Sequence, residues 1–351
     1  MSTPLLHGLR VLDLSLWQPG QYATRLLADL GADVVKVEPP GGDRIRPDGV
    51  RFDDLNAGKS SVVLDLKQDA DRNELLEMVA GVDVVVENFR TGVAERLGVG
   101  FDQLRGVNPA IVLCSISGFG RTGPLSAGSG HEINFQAHAG AMTQRSDGPP
   151  LPMGRDVAGR AGGLAAAFAV LAAVLRARQA GEGEHVDVSI SDLLATWVTG
   201  ARPPVALLPP EAEFGPAGGL FRTADDRWVA LGVYSEDHYW DVLCRELGLD
   251  QLTGLTLPER NERAGSLRAE IAAAVVTRAQ AELIDALTRP GVPIAPVRTR
   301  AEMLAHPHFR ERGVLVPGPD GDVRIGHPVR YVVHPALPPG PAPALGAANG
   351  V

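Results

Sequence analysis

The sequence is 351 residues long, and at about 150 residues per domain this length suggests two domains or one large domain with an appendage. Hydrophobic residues make up 44% and charged residues 21%, which is typical of a globular protein and excludes a disordered chain or a fibre. The net charge is −9, from 33 Lys plus Arg against 42 Asp plus Glu, so we expect no nucleic-acid partner.

No segment of the sequence indicates a membrane span or an exported protein. The longest apolar run, residues 161–175, is shorter than the roughly 18 residues that a span needs, and we interpret it as a buried helix. Cys114 and Cys244 lie far apart without a CxxC partner, so neither a disulfide framework nor a zinc module is indicated. The N-terminus lacks the pattern of a signal peptide. We therefore expect a cytoplasmic protein that contacts no membrane.

Short apolar runs alternate with amphipathic segments from the start of the chain, which predicts a parallel sheet with helices on its faces. The predicted strands are residues 9–15, 33–38, 61–66, 82–87, 110–117 and 185–190. The predicted helices are one that ends near Gly31, one at 70–79 and one at 161–178. The predicted fold class is therefore α/β, with a doubly wound, Rossmann-like large domain.

A stretch rich in proline and glycine, residues 201–219, divides the chain and is predicted to be a linker, because no regular element survives that density. The elements predicted after it are strands at 227–233 and 292–297 and helices at 236–247 and 266–277. They indicate a smaller α+β domain at 220–309. Residues 1–200 then form the large domain, which the segment 310–351 completes.

Five motifs in a fixed order resemble the class III coenzyme A transferase (CaiB/BaiF) family. They are LLADLGADVVKVEPPGGD at 26–43, LNAGKSSVVLDLK at 55–67, VVVENFRTGVAERLG at 84–98, GFGRTGP at 118–124 and PALG at 343–346. The resemblance covers nearly the whole chain. It implies an interlocked homodimer whose active sites lie between the large domain of one subunit and the small domain of the other.

The resemblance also implies the reacting residues. Transferases of the family use an aspartate nucleophile, which forms an acyl anhydride and then an aspartyl-CoA thioester, and Asp156 matches it. Racemases of the family keep this aspartate and add a histidine, which matches His131 in the motif GHEINF. Glu236 matches a racemase glutamate that pairs with the histidine of the other subunit. Because a tyrosine tends to replace this histidine in transferases, His131 favours the alpha-methylacyl-CoA racemase branch.

Two-base proton transfer is the chemistry that His131 and Asp156 would perform. Inverting the α-carbon of a thioester needs one group to remove a proton from one face and another to return a proton to the opposite face. Desolvation beside the apolar run 161–175 would keep Asp156 protonated, and backbone N–H groups after Asp156 would stabilise the enolate oxygen. We therefore expect a racemase or epimerase of a 2-methylacyl-CoA or related thioester, without a metal or a separate cofactor.

Two alternatives stay open. The first is a CoA transferase that moves CoA between carboxylic acids through Asp156, with Gln18 matching a transferase glutamine near the reacting carbonyl. The second is a protein that binds CoA esters without turnover. Residue type alone indicates non-catalytic roles for three of these residues. His131 would be a structural hydrogen-bonding residue, Asp156 a helix N-cap and Glu236 a first-turn carboxylate.

The resemblance implies that the acyl-CoA thioester is bound by three segments of the large domain and by two isolated residues. The predicted binding residues are Gln18, Leu64, Asp65, Leu66, Lys67, Asn88, Phe89, Arg90, Arg96, Gly130, Glu132, Ile133, Asn134 and Phe135. The side chains of Lys67, Arg90 and Arg96 would meet the phosphates. Several relatives stack an arginine on the adenine where this chain has two prolines, so Arg44 or Arg46 would have to serve, or the contact is absent.

Overall fold

The computed structural model describes residues 3–144, 148–198, 215–318 and 321–349. Contacts between Cα atoms divide the chain into two units. The first unit consists of residues 1–143, 152–199 and 306–351, and the second of residues 144–151 and 200–305.

A six-stranded parallel sheet forms the centre of the first unit. Its strands are β1 Arg10–Asp13, β2 Asp33–Glu38, β3 Ser60–Val63, β4 Val84–Glu87, β5 Val112–Ser117 and β6 Glu184–Ser189. The spatial order is β3-β2-β1-β4-β5-β6, so the winding direction reverses between β1 and β4. Open sheets of this kind bind ligands at the carboxyl ends of the strands, next to this reversal. The predicted doubly wound α/β fold is confirmed.

Helices cover both faces of this sheet. They are α1 Gln18–Asp29, α2 Gly49–Asn56, α3 Asp69–Val79, α4 Val93–Arg96, α5 Phe101–Val107, α6 Glu132–His138, α7 Val157–Ala180 and α8 Ile190–Trp197. Successive residues of β4 point to opposite faces, because side chains alternate along a strand. Val84 and Val86 join the buried cluster that includes α1 and α7, whereas Val85 joins the cluster that includes α3 and α5.

Helix α7 crosses α1 at very short range and leaves one apolar face uncovered. A Cβ atom on Gly163 would lie 2.5 Å from the carbonyl oxygen of Pro19, so only glycine permits this crossing. Leu164, Phe168 and Leu175 are 53%, 76% and 65% exposed. The prediction of a buried helix is therefore only partly right, because the helix is apolar all round and the chain covers only part of it. By length and composition α7 could cross a membrane, but half of its apolar window is buried, and core helices pass the same test.

The second unit is built on a three-stranded antiparallel sheet in the order β7-β8-β9. Its elements are β7 Ala217–Arg222, β8 Trp228–Val233, α9 Asp237–Glu246, α10 Leu257–Glu262, α11 Ala264–Val275, α12 Gln280–Thr288, β9 Ile294–Pro296 and α13 Arg300–Ala305. Its core includes Trp240, Leu243 and Ile271. Strand β7 begins inside the predicted linker because Gly218 and Gly219 pair with β8. Residues 201–214 of that linker lie outside the described residues.

The last segment of the chain belongs to the first unit. It begins with α14 Pro307–Glu311 and a hairpin of β10 Leu315–Pro317 and β11 Val323–Ile325. Farther along, Gly58 donates its backbone N–H to the carbonyl oxygen of Pro341, and Ala348 donates its own to Ser61. These two hydrogen bonds hold the end of the chain along the connection from α2 into β3.

Candidate active site

Gln18 opens helix α1 just after the carboxyl end of β1, and its side chain is buried. Pro19 lies in the first turn, where the missing N–H costs nothing. Asn88 holds the two residues that precede Gln18. Its Oδ1 accepts from the Leu16 N–H at 3.0 Å, and its Nδ2 donates to the Trp17 carbonyl at 3.2 Å. Asn88, which we predicted to contact CoA, thus uses both ends of its amide to hold the segment that positions Gln18.

Arg51, on helix α2, bridges Gln18 and Asp156. Its Nη2 lies 3.3 Å from Gln18 Oε1 and 3.5 Å from Asp156 Oδ1. Arg51 is a site residue that we did not predict from the sequence. Helix α2 is capped by Asp48, which accepts from the Arg51 N–H. Nothing local indicates that this helix reaches the start of α7.

Asp156 immediately precedes α7 in the left-handed region, with φ of 65°, a conformation that aspartate tolerates better than most residues. Its side chain is 35% exposed and makes no capping hydrogen bond to the helix. Arg155 lies 3.9 Å from its second carboxylate oxygen. The carboxylate of Asp156 is therefore partly exposed and faces two guanidinium groups, whereas we expected desolvation by apolar surroundings.

The carboxylate of Glu132 closes the amino end of α7. Its Oε1 accepts from the Ala158 N–H at 2.6 Å, and its Oε2 accepts from the Gly159 N–H at 3.0 Å. Gln136, which is fully buried, adds a donor to Oε1 at 2.7 Å. We expected backbone N–H groups here to stabilise an enolate oxygen, but Glu132 already occupies these two.

Gly159 leaves a gap between Gln18 and Glu132. A Cβ atom at this position would lie 3.2 Å from Gln18 Oε1 and 3.7 Å from Glu132 Oε2. Arg51 contacts the same oxygen of Gln18 from α2. Gln18, Arg51, Glu132, Asp156 and Gly159 therefore meet at the start of α1 and α7, and we call these five residues the Gln18 cluster.

His131 lies outside the Gln18 cluster. His131 precedes α6, donates its backbone N–H to Asn134 at 3.0 Å and packs its ring edge-on against Trp17, with ring centres 6.0 Å apart. Over the ranges that the structure describes, no hydrogen bond or ion pair joins His131 to Asp156. Glu236 belongs to the second unit, and hydrogen bonds from backbone N–H groups, its own first, lower its pKa.

A cavity of about 180 Å³ opens at the carboxyl ends of the central strands. Its lining consists of Leu14, Leu16, Val37, Glu38, Pro39, Leu64, Asp65, Leu66, Lys67, Phe89 and Leu97. Five of the predicted CoA-binding residues are among them, namely those at positions 64–67 and 89. The cavity thus lies beside the reversal of the sheet, where this fold class binds ligands.

Three predicted phosphate contacts are exposed cations near this cavity. Lys67 is part of the lining, whereas Arg90 and Arg96 each adjoin a lining residue in the sequence. Within the described ranges none of these three side chains forms an ion pair. They are therefore able to meet anionic groups without first breaking an internal contact.

The remaining predicted CoA contacts are not in the lining. Gly130, Ile133, Asn134 and Phe135 surround the start of α6, where Phe135 packs edge-on against Phe119. Arg46, considered for adenine stacking, pairs with Glu38 and lies 4.1 Å above the Phe52 ring. Arg44 is exposed.

A buried ionic network holds α1 and α2, the two helices that carry Gln18 and Arg51. Lys59 Nζ lies 2.8 Å from Asp13 Oδ2, Lys36 Nζ lies 2.8 Å from Asp43 Oδ2, and all four side chains are fully buried. Burial alone would raise the pKa of Asp13, but Lys59 and Lys36 outweigh it and hold that pKa well below its usual range. Burial lowers the pKa of Lys59 to about 8. Gln21 joins the network to α1 through a 2.6 Å hydrogen bond to Asp43.

Comparisons with known proteins agree with this fold. The family model described as CoA-transferase family III matches residues 6–349. The succinyl-CoA:mesaconate CoA-transferase of Haloarcula hispanica is 35% identical over 374 residues, which cover 97% of this chain and 93% of that protein. The acetyl-CoA:oxalate CoA-transferase of Acetobacter aceti is 34% identical over 346 residues, covering 92% and 88%.

A solved CAIB/BAIF family protein from Brucella suis superposes with a TM-score of 0.87 at 27% identity, covering 99% of this chain and 98% of that one. The family that the five motifs indicated is thus confirmed. The curated relatives named above are transferases, so they favour the transferase alternative over the racemase branch. The chain belongs to CoA-transferase family III.

Proposed function

We propose that this protein is a CoA transferase that moves CoA from an acyl-CoA thioester to a free carboxylic acid, with Asp156 as the nucleophile. The observation that carries this proposal is the bridge formed by Arg51, whose Nη2 lies 3.3 Å from Gln18 Oε1 and 3.5 Å from Asp156 Oδ1. A guanidinium pairs with an ionised carboxylate, which is the form that a nucleophile needs. A proton donor in a two-base mechanism has to be neutral instead.

In the first half-reaction, a carboxylate oxygen of Asp156 attacks the thioester carbonyl, the C–S bond breaks and CoA leaves as a thiolate. The thiolate then attacks the aspartyl carbonyl of the resulting anhydride, which releases the first acid and leaves an aspartyl-CoA thioester. The second acid reverses these steps and restores the free carboxylate. Gln18 Nε2 makes no hydrogen bond in the described part of the chain, so it is able to donate to the carbonyl oxygen as charge develops there.

The proposed CoA site is the cavity at the carboxyl ends of the central strands, with Lys67 in its lining and Arg90 and Arg96 nearby. For the acid we propose a short dicarboxylate. Relatives with this class of substrate in their names include the mesaconate and oxalate transferases described above and a succinate–glutarate CoA-transferase of Agrobacterium fabrum.

We propose further that the enzyme acts as a homodimer, which the resemblance to the family implies is interlocked. The exposed apolar face of α7 supports the presence of a second subunit, since Phe168 on this face is 76% exposed. Val332 and Val333 in the tail are 87% and 77% exposed. Apolar surface of this kind is stabilised when a second subunit removes it from water.

The test supplies succinyl-CoA and a panel of dicarboxylic acids, and then looks for CoA on the second acid and for a CoA adduct on the peptide that contains Asp156. We expect both, and we expect both to disappear in the Asp156→Asn variant. The matched control is Asp102→Asn, which changes an exposed carboxylate on α5.

A chiral 2-methylacyl-CoA incubated in D2O tests the racemase interpretation, in which His131 is the base. Deuterium at the α-carbon without an acceptor acid would support the racemase and contradict our proposal. Binding of CoA esters without either reaction would support the alternative that the protein binds CoA esters without turnover.

A further inference from the structure

Arg51 has donors to spare at the candidate active site. The described contacts of its guanidinium use only Nη2, so Nε and Nη1 make no hydrogen bond in the portion of the chain that the structure describes. The side chain is 37% exposed, so solvent and solutes reach it. A planar fork of N–H donors matches the geometry of a carboxylate.

The position of Arg51 is fixed before any substrate arrives. Helix α2 is tied down by Arg25, which donates to the Asp54 carbonyl at 2.7 Å, and by Asn56, which donates to Gln21 at 3.0 Å. Asn56 in turn accepts from the buried Lys59 at 2.9 Å. Because three hydrogen bonds hold the helix at Asp54 and Asn56, binding a carboxylate to Arg51 costs little additional ordering.

The charge on Asp156 changes during the proposed reaction. When the aspartyl-CoA thioester forms, sulfur replaces a carboxylate oxygen and the negative charge that faces Arg51 is lost. An acceptor acid must bind at this stage, close to the remaining carboxylate of Glu132, which repels it. The cation that Asp156 has just released is then the favourable partner for the entering carboxylate.

We infer that Arg51 binds the carboxylate of the free acid, exchanging its ion pair with Asp156 for one with the substrate once Asp156 is converted to the thioester. This inference rests on the proposed function. It makes Arg51 the residue that selects a carboxylate over a neutral acceptor such as an alcohol. It also couples acid binding to the covalent state of the enzyme.

An equilibrium titration with succinate tests the exchange without turnover. In the Asp156→Asn variant an uncharged amide stands in for the uncharged thioester, so Arg51 has no ionic partner there. We expect this variant to bind succinate about tenfold or more tightly than the wild type, since a hydrogen bond between two charged groups is stronger than one between neutral groups. Adding Arg51→Gln should abolish the gain. Adding Arg155→Gln instead should preserve it, because Arg155 is 87% exposed and, among the described residues, Gln18 accepts from Arg51 and not from Arg155.

Steady-state kinetics provide a second reading. Arg51→Gln should raise the KM for the acid by about tenfold to a hundredfold while the KM for acyl-CoA stays within about twofold. Arg51→Lys should give a KM for the acid between those of the wild type and Arg51→Gln, since an ammonium keeps the charge but lacks the planar fork of N–H donors.

The inference is overturned if Asp156→Asn gains no affinity for succinate, if the gain survives Arg51→Gln, or if Arg51→Gln raises both KM values equally. The last result would mean that Arg51 merely positions Asp156. Failure of the wild type to form an aspartyl-CoA adduct would instead overturn the proposed function, whatever the succinate titrations give.

Discussion

Glu132 and Gly159 meet where α6 approaches α7, with Glu132 Oε2 accepting from the Gly159 N–H at 3.0 Å. The second oxygen accepts from the Ala158 N–H at 2.6 Å, so one carboxylate satisfies two of the unpaired donors at this helix end. A negative charge is favourable there because the helix dipole is positive at its amino end. Glu132 thus fixes the start of α7, and with it the backbone that carries Asp156.

Gly159→Ala should slow turnover more than it destabilises the fold. The added methyl would lie 3.2 Å from Gln18 Oε1, so Gln18 has to shift by a few tenths of an ångström. We expect kcat to fall by about tenfold and the melting temperature to change by less than about 4 °C. Rapid kinetics and thermal unfolding measure the two, and Gly106→Ala, with open space around its Cβ, is the control. A drop in melting temperature without a change in kcat would contradict the prediction.

Lys67→Ala should weaken CoA binding. Lys67 lines the cavity and forms no ion pair in the described ranges, so its charge is available to a phosphate. We expect the Kd for CoA to rise by about tenfold and to depend less on salt than in the wild type. Calorimetry at two salt concentrations checks this. Gln68→Ala, the exposed neighbour, is the control. An unchanged Kd would remove the cavity as the CoA site.

Asp13→Asn should destabilise the fold strongly, because it leaves the buried ammonium of Lys59 without its carboxylate at 2.8 Å. We expect a loss of about 3 to 5 kcal/mol in the free energy of unfolding near neutral pH. The folded pKa of Asp13 lies below its unfolded value of about 3.9, so this stability is present above that pH and is lost as the pH falls toward the folded pKa.

The difference between wild type and Asp13→Asn should therefore shrink in acid, which urea unfolding at several pH values measures. The control is Asp69→Asn, because Asp69 is 85% exposed and its pair with Arg72 contributes at most about 1 kcal/mol. A gap that stayed constant down to acid pH would contradict the assignment of the network.

Phe168→Glu tests the proposed homodimer. A charge in the middle of the exposed apolar face of α7 would oppose burial by a second subunit. Light scattering should give twice the chain mass of 37.0 kDa for the wild type and a single chain mass for the variant. Gln179→Glu, at an exposed polar position of the same helix, should leave the mass unchanged. A wild type of one chain mass would contradict the proposal.

The sheet of the first unit was predictable from local patterns. Strand β2 has the predicted bounds, and α3 begins one residue before its prediction, because apolar periodicity sets both. Strand β7 was missed because Gly218 and Gly219 have low strand propensity and are ordered by pairing with β8. Local sequence cannot show such pairing.

The candidate site was less predictable than the fold. Asp156 and Gln18 were identified through the resemblance, but the roles of Arg51 and Glu132 depend on how α2 and α6 approach α7. The buried network did leave a trace in the sequence, since Asp13 directly follows two apolar residues of β1 and Lys36 lies between two valines of β2. A charge within a buried strand indicates a partner without identifying it.

Helices α1 and α7 touch through bare backbone at Gly163, where an added Cβ would lie 2.5 Å from the Pro19 carbonyl oxygen. The two helices therefore cannot slide past each other at this point, and Gln18 and Asp156 are held together as parts of one rigid unit. A larger residue at position 163 would push α1 and α7 apart, so we expect an enzyme that folds but turns over slowly.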